Sequence, residues 1–346
     1  MTNRDNLVNI VKSLTKGLNA MTHKKMFLCI ALMLSLPFGS AEAAHKKHVK
    51  HSPQAATNQA SKRVHARLNH KHLHQVDHQR ETSDNKSHVV GEPDLASAKA
   101  LVMDQATGEI IYAKNINTPT PIASVTKLMT AMVMLDAHLP MDETLMVTEQ
   151  DVDTLRGSSS KLPVGSQLTR AELLHMAIMS SENRAASALG RNYPGGISAF
   201  VAAMNEKARV IGMSNTHFVD PTGLHTENMS TASDLSKMVK AAYNYPQIRE
   251  VSTSPSQEFR LNTHRGPVNF SNTNLLVRNN NQKWVIGLSK TGYISEAGRC
   301  LVMQAQISGK NVVMVFLDSM GKFSRIGDAE RIRKWMEAGN FSPRLS

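Results

Sequence analysis

Cysteine is scarce in this chain, which contains only Cys29 and Cys300. Cys29 lies in an apolar segment that we predict to be removed on export, so the mature chain would keep a single thiol. One thiol cannot form an intramolecular disulfide, which excludes a disulfide-stapled fold. Cys300 opens a strand-like run, and we interpret it as a small buried apolar residue rather than a catalytic group.

Aromatic residues are also few, at 5% of the chain. No RNA-binding aromatic motif or zinc-finger spacing accompanies the net charge of +12. That charge is unevenly spread, because residues 1–43 carry +3, residues 44–92 carry +5 and residues 93–346 carry +4. The last value is ordinary for a domain of that size, so we expect no nucleic acid partner.

The N-terminal apolar run is too short to span a bilayer comfortably, since a membrane helix needs roughly 20 apolar residues. The segment "KKMFLCIALMLSLPFGSAEA" (24–43) instead has the parts of a secretory signal: two lysines, an apolar core and an Ala-Glu-Ala cleavage site. We predict a signal peptide over residues 1–43, with Met21 as an alternative start, and an uncleaved anchor as the other interpretation. The mature protein would begin at Ala44 in the periplasm.

Residues 44–92 are polar and basic and hold nine of the fifteen histidines, including His70, His72 and His74. A segment this poor in large apolar residues cannot offset its ordering entropy, so we predict a disordered tether. A metal-binding tail is the alternative. We favour the solvated linker because no carboxylate or cysteine completes a ligand set, and we expect no metal and no cofactor. Its charge suits at most a peripheral association with the wall or membrane.

From Pro93 the composition becomes that of a folded domain, which we predict to extend to residue 340, with a short tail over 341–346. Strand-like runs occupy both ends and helix-like runs lie between them. The predicted strands are two within 98–115, then 283–294, 298–308 and 310–318. The predicted helices are 121–138, 168–190 with a break near 180–183, 195–213, 230–245 and 322–339. This order predicts an α/β (α+β) fold with a mixed sheet assembled from both ends of the domain.

The pattern Ser-x-x-Lys occurs five times and means little by itself. Four of the matches lack a suitable context, because they fall in the signal, in the tether, in a polar loop or after the Lys-Thr-Gly motif. Those four begin at Ser13, Ser83, Ser158 and Ser319.

The fifth match belongs to an ordered set of three motifs. Ser124 and Lys127 open a buried helix, Ser181 and Asn183 lie at a helix break, and Lys-Thr-Gly (290–292) lies on a strand. Because the two residues are about 300° apart on a helix, Lys127 shares a face with Ser124 and could take its proton. A lysine is a useful base only when burial or a nearby cation destabilises its ammonium. The apolar helix supplies burial, and the lysine of Lys-Thr-Gly could supply positive potential.

In this order, the three motifs resemble the active-site set of penicillin-binding proteins and serine β-lactamases. The flanking "PIASVTKLMTAMVMLDAHLP", "MSSENRAASAL", "FVDPTGL", "STASDL" and "LSKTGY" are similar to low-molecular-mass D-alanyl-D-alanine endopeptidases of the penicillin-binding protein 7 type. The resemblance covers residues 93–340. It implies a β-lactamase/transpeptidase-like fold: an antiparallel sheet built from both ends of the domain, helices on both sides and an inserted, mostly helical region.

The resemblance also implies residue roles. Ser124 would be the nucleophile and Lys127 its base, Ser181 would relay a proton to the leaving amine, and Asn183 would bind a substrate amide. The backbone N–H groups of Ser124 and Tyr293 would form the oxyanion hole. Substrate binding falls on four consecutive residues: Lys290, Thr291, Gly292 and Tyr293. We interpret Asp220 and Asp234 as structural, one bracing a loop and the other charging a helix N-terminus.

The activity implied is a serine DD-endopeptidase that cuts peptidoglycan cross-links through an acyl-enzyme on Ser124 and is inhibited covalently by β-lactams. A DD-carboxypeptidase is the first alternative, but related carboxypeptidases usually carry a further β-rich domain and an anchor helix. This chain ends about 54 residues after Gly292, which favours the endopeptidase. A β-lactamase is a less expected alternative. A non-catalytic wall-binding protein is the remaining alternative, and it would have no need of an intact catalytic set.

Overall fold

The two ends of the folded region meet in one antiparallel sheet. The computed structural model describes residues 91–279 and 283–340. The predicted signal, the C-terminal tail and all but the last two residues of the predicted tether lie outside these ranges. In chain order the strands are Ser97–Asp104 (β1), Ile110–Lys114 (β2), Thr120–Pro121 (β3), Thr144–Met146 (β4), Gln167–Thr169 (β5), Met229–Ser230 (β6), Ser256–Arg260 (β7), Pro267–Ser271 (β8), Val285–Ile294 (β9), Gly298–Ile307 (β10) and Lys310–Ser319 (β11).

The main sheet has five strands in the order β2-β1-β11-β10-β9. The first strand of the domain pairs with the last, and every ladder is antiparallel. The prediction of a sheet built from both ends is therefore confirmed. The prediction of a mixed sheet is wrong, because the tight β9–β10–β11 connections can only join antiparallel neighbours.

The helices lie mostly between the two strand groups, as predicted, and one closes the chain. They are Lys127–Asp136 (α1), Arg170–Met179 (α2), Asn183–Arg191 (α3), Gly196–Val210 (α4), Ala232–Ala242 (α5), Pro246–Thr253 (α6), Leu275–Arg278 (α7) and Ser324–Glu337 (α8). Within the described ranges, none of the helices is long and apolar enough to cross a membrane.

Helices cover both faces of the sheet, which explains why β10 and β11 are continuous apolar runs rather than alternating ones. Val302 and Val315 contribute to the core built around α1, whereas Met303 and Met314 contribute to the core that contains Ile332 of α8. The central helix α1 is buried along Lys127–Met134, as its all-round apolar sequence predicted.

Some elements had no recognisable pattern in the sequence. The hairpin of β7 and β8, the strand β4 and the helices α6 and α7 fall where we predicted nothing. Strand β5 occupies Leu168 and Thr169, where we predicted the start of a helix that in fact begins at Arg170. Phe259 and Phe270 are the buried residues of that hairpin, too few to produce an alternating apolar pattern.

A buried carboxylate ties the chain ends together. Asp328 of α8 accepts hydrogen bonds from Ala96 N (2.9 Å), Ser97 N (2.8 Å) and Ser97 Oγ (2.5 Å). Ser97 Oγ also lies 2.5 Å from Ser319 Oγ at the end of β11. One side chain thus fixes the last helix to the first and last strands of the sheet.

We expect Asp328→Ala to lower the free energy of unfolding by about 3 kcal/mol, because it leaves buried donors without an acceptor. Urea denaturation followed by circular dichroism measures the change. The matched control on the same helix is Glu337→Ala, which removes only an exposed 2.8 Å ion pair with Arg333 and should cost less than about 1 kcal/mol. Equal losses for the two variants would contradict the anchoring role of Asp328.

Candidate active site

Ser124 lies in a short 3-10 turn, Ala123–Thr126, that leads directly into α1. Ala123 has φ +49°, a left-handed conformation that is uncommon for a residue with a side chain. Such strain costs of order 1–3 kcal/mol and persists only where the surroundings impose it. The surroundings here are the loop that carries Gly223 and the strand β9, which carries Gly292.

Two glycines enclose the backbone of the nucleophile. A Cβ at Gly223 would collide with the carbonyl of Ala123, and one at Gly292 would lie 3.0 Å from Ser124 N. The missing side chain of Gly292 therefore makes room for the Ser124 turn, and its expected part in substrate binding stays a prediction. Gly223 had no place in the predicted site, although it lies in the quoted "FVDPTGL" segment.

Lys127 is fully buried and its Nζ has three oxygen neighbours. It lies 3.0 Å from Ser124 Oγ, 2.7 Å from Asn183 Oδ1 and 2.6 Å from the carbonyl oxygen of Thr222. The last two can only accept hydrogen bonds. A neutral amine with two N–H groups directed at those acceptors has its lone pair left for the hydroxyl proton of Ser124.

Burial lowers the pKa of Lys127 to about 7, against the opposing effect of the Asp220 and Glu182 carboxylates. The pKa of Lys290 is also well below its ordinary value, because of burial, then Lys127, then Arg325. The predicted destabilisation of the Lys127 ammonium by burial is thus present. Lys127 lowers the pKa of Lys290, whereas the charged groups that shift the pKa of Lys127 are Asp220 and Glu182.

Asp220 organises the loop that carries two of these contacts. Its carboxylate accepts from Thr222 N (2.5 Å), Gly223 N (2.8 Å) and His225 N (3.0 Å). Burial alone would raise the pKa of Asp220, but these hydrogen bonds bring it below the ordinary value. The loop-bracing interpretation agrees with this geometry, and the brace holds both the Thr222 carbonyl and Gly223 in place. Asp234 likewise lies in the first turn of α5 and accepts from Asn215 N at 2.7 Å.

Ser181 lies between α2 and α3, where the sequence predicted a helix break. Its φ of +61° places it in the left-handed region. Among the described residues its hydroxyl has no hydrogen-bond partner, so the structure does not join it to Ser124 or Lys127 in the way it joins Asn183. The hydroxyl is accordingly unengaged.

Asn183 is held at both ends of its carboxamide. Oδ1 accepts from Lys127, and Nδ2 donates to Ser158 Oγ at 2.9 Å. Sequence reasoning dismissed Ser158 as a residue of a polar loop, and the loop does lack regular structure. Only the folding of that loop against α3 reveals the contact, since nothing in its composition distinguishes Ser158 from the serines beside it.

Strand β9 forms one wall of the site. Thr291 Oγ1 donates to Thr273 Oγ1 at 2.7 Å. Tyr293 is 54% exposed, and the guanidinium of Arg299 lies over its ring, 4.4 Å from the centroid. In the described part of the chain β9 pairs only with β10, so its other edge offers backbone groups to an extended peptide.

Arg325 was missed by the sequence analysis. It is 9% exposed, and its Nε and Nη1 atoms have no hydrogen-bond partner among the described residues. Burial lowers its pKa, followed by the effect of Arg299, and Arg325 in turn lowers the pKa of Lys290. Buried donors without a partner are costly, so the Arg325 guanidinium, which interacts electrostatically with Lys290 and Arg299, is suited to an anion.

Cys300 is buried, and burial raises the pKa of its thiol to about 11, in agreement with an apolar core role. Within the residues that the structure covers, no cluster of histidine, cysteine, aspartate and glutamate could hold a metal ion.

The site generates a pH prediction. We expect the rate constant for acylation by a labelled penicillin to rise with pH through about 7 and then to level off, because only the neutral Lys127 amine can accept a proton. Lys127→Arg should remove this rise and most of the rate, since a guanidinium stays protonated. Stopped-flow fluorescence from about pH 5.5 to 8.5 measures both. A wild-type rate that does not change with pH would contradict Lys127 as the base.

The chain was compared with known proteins. Residues 86–321 match the model of peptidase family S11, described as D-alanyl-D-alanine carboxypeptidase. A D-alanyl-D-alanine endopeptidase of Pseudomonas aeruginosa is 48% identical over 246 residues, which are 71% of this chain and 79% of the relative. One of Escherichia coli is 44% identical over 255 residues, 74% and 82% of the two chains.

Among solved structures, the Streptomyces K15 DD-transpeptidase has a TM-score of 0.66 and 29% identity, covering 72% of this chain and 100% of that one. This likeness confirms the predicted transpeptidase-like fold class. The family model spans more than half of the chain, and both endopeptidases exceed the identity at which family membership is secure. The chain therefore belongs to the S11 family of serine D-alanyl-D-alanine peptidases.

Proposed function

We propose that the protein is a serine DD-endopeptidase that hydrolyses the D-alanyl cross-links of peptidoglycan. The observation that carries the proposal is the buried Lys127 nitrogen, 3.0 Å from Ser124 Oγ, with its two other neighbours restricted to accepting hydrogen bonds. The two relatives named D-alanyl-D-alanine endopeptidases support the choice of substrate. A non-catalytic wall-binding protein would gain nothing from burying a lysine in this way, since burial of a cation opposes folding.

In the proposed reaction, Lys127 takes the hydroxyl proton as Ser124 Oγ attacks the carbonyl carbon of D-alanine. The N–H groups of Ser124 and Tyr293 stabilise the oxyanion. The C–N bond then breaks, and the leaving amine receives a proton from Lys127 through the unengaged hydroxyl of Ser181. Water hydrolyses the resulting ester, which releases the D-alanine carboxylate and restores Ser124.

The substrate would lie against the free edge of β9, with a carboxylate directed to Arg325. In a D-alanyl-D-alanine terminus and in a cross-link to the D-centre of a diamino acid, the carbon beside the scissile nitrogen carries a carboxylate. Arg325 therefore suits both, and a DD-carboxypeptidase, the activity in the family description, stays the second candidate. β-Lactams would acylate Ser124 and leave slowly. In class A β-lactamases the glutamate of a Glu-x-x-Leu-Asn motif activates the deacylating water, but the one match in this chain begins at Glu258, an exposed residue of β7 that is not among the neighbours of Lys127.

We also propose that the protein acts in the periplasm. The secretory pattern of residues 24–43 supports this, as does a substrate found outside the cytoplasmic membrane. The basic segment 44–92 would keep the domain near anionic wall polymers.

Purified muropeptides test the activity. We expect wild-type protein to convert cross-linked dimers to monomers, and Ser124→Ala to leave them intact, because the variant has no nucleophile. Mass-resolved chromatography measures the products. Loss of one alanine from pentapeptide monomers, with dimers intact, would establish the carboxypeptidase instead. No change in either substrate would contradict both.

Arg325 provides a separate prediction. We expect Arg325→Ala to lower kcat/KM for cross-linked dimers by about tenfold to a hundredfold, chiefly through KM, because a charge-assisted hydrogen bond to the substrate carboxylate is lost. The control on the same helix is Arg333→Ala, whose guanidinium pairs with Glu330 and Glu337. Steady-state kinetics that show equal effects for the two variants would contradict carboxylate binding by Arg325.

A further inference from the structure

The two ends of a carboxamide differ chemically, so the way Asn183 is turned decides what Lys127 can do. With Oδ1 toward Lys127, the amine donates to it at 2.7 Å and to the Thr222 carbonyl at 2.6 Å. The nitrogen lone pair then remains for Ser124. With the amide turned by 180°, an NH2 group would face the amine, and the lone pair would be drawn to that donor instead.

Ser158 restricts this choice through its own hydrogen bonds. Its backbone N–H donates to Asp153 Oδ2 at 2.9 Å, which holds Ser158 beside that carboxylate, and its side chain helps to lower the pKa of Asp153. A carboxylate only accepts hydrogen bonds, so it attracts the hydroxyl hydrogen of Ser158. With that hydrogen turned toward Asp153, the hydroxyl oxygen accepts from Asn183 Nδ2, which lies 2.9 Å away.

The surrounding loop is tied down on both sides of this contact. Asp153 also accepts from Leu155 N and Arg156 N, each at 2.9 Å. Two residues beyond Ser158, Ser160 Oγ donates to Glu182 at 2.5 Å. Ser158 and Ser160 thus both contact the Ser-Glu-Asn motif, whereas Ser159 between them is exposed.

We propose that Ser158 is a positioning residue: held by Asp153, its hydroxyl orients the Asn183 carboxamide so that Lys127 keeps its third hydrogen-bonding position for Ser124. The inference rests on the proposed function only in taking Ser124 and Lys127 as nucleophile and base. Hydrogen bonds thus connect the hydroxyl of Ser158 to that of Ser124 through Asn183 and Lys127.

The other charged groups around Lys127 are not altered by changing Ser158. They are Asp220 on the loop below it, Glu182 beside Asn183, and Lys290 on β9. A change in the pH dependence of acylation on removal of the Ser158 hydroxyl would therefore report the orientation of Asn183. Turning the amide replaces an acceptor by a donor beside the ammonium, which disfavours the charged form and moves the midpoint to lower pH.

The experiment measures acylation by a labelled penicillin across pH for the full-length wild type and for Ser158→Ala. We expect the plateau rate constant to fall about five- to tenfold, the effect of one hydrogen bond, and the midpoint to move to lower pH. Ser158→Thr keeps the hydroxyl and should restore both values. Ser159→Ala, which removes the exposed neighbouring hydroxyl, should match wild type.

The outcomes separate the inference from the function on which it rests. Wild-type protein that is not acylated would overturn the proposed function itself. Acylated wild type with an unchanged profile in Ser158→Ala would overturn the inference alone. A variant that loses rate without any shift of midpoint, together with a lowered thermal unfolding temperature, would assign Ser158 a merely structural role and would also overturn it.

Discussion

Removing the Lys127 ammonium from water is the constraint on which the rest of the site depends. Burying a cation is unfavourable unless it is hydrogen-bonded. Asn183 Oδ1 and the Thr222 carbonyl accept hydrogen bonds from Lys127, and the hydroxyl of Ser124 is its third neighbour. The outcome is an amine whose pKa of about 7 allows it to act as a base. Helix α1 must be buried all round for this to happen, which explains why the lysine stands among continuous apolar residues.

The acceptors and the nucleophile are held by loops rather than by the helix. Asp220 folds its loop so that the Thr222 carbonyl reaches Lys127, and the same loop presses Gly223 against the strained Ala123. Both features require a backbone path that is possible only with glycine at position 223, because any side chain there would collide with the Ala123 carbonyl. The strain at the nucleophile is therefore balanced by packing from outside the turn.

The sheet contributes through its edge. Because β1 pairs with β11, the order of the strands leaves β9 at the side that faces the Ser124 turn, where Gly292 allows the backbones to meet. Asp328 contributes by holding α8 against the start of β1 through Ala96 and Ser97. Arg325, the residue that we propose for binding the substrate carboxylate, lies in the first turn of that same helix.

Local patterns were enough to predict the strands at the two ends, the central helices, the break before Asn183 and the Ser124–Lys127 pair. Each of these is a matter of periodicity or of spacing along a single element, and such information is carried by neighbouring residues. The hairpin of β7 and β8 was not predicted because Phe259 and Phe270 are the only buried residues of its two strands. Arg325, Ser158 and Gly223 were not predicted because their roles depend on residues far away in the chain. Arg325 has buried nitrogens without a hydrogen-bond partner among the described residues, and Ser158 accepts a hydrogen bond from Asn183. Gly223 lies where a side chain would collide with Ala123. The amino-acid sequence alone thus determined which chemistry the chain can carry, because Ser124 and Lys127 are neighbours on one element. Only three-dimensional packing decided how the Asn183 amide, the Thr222 carbonyl and the edge of β9 are oriented toward that pair. Those orientations depend on contacts between segments that share no local pattern.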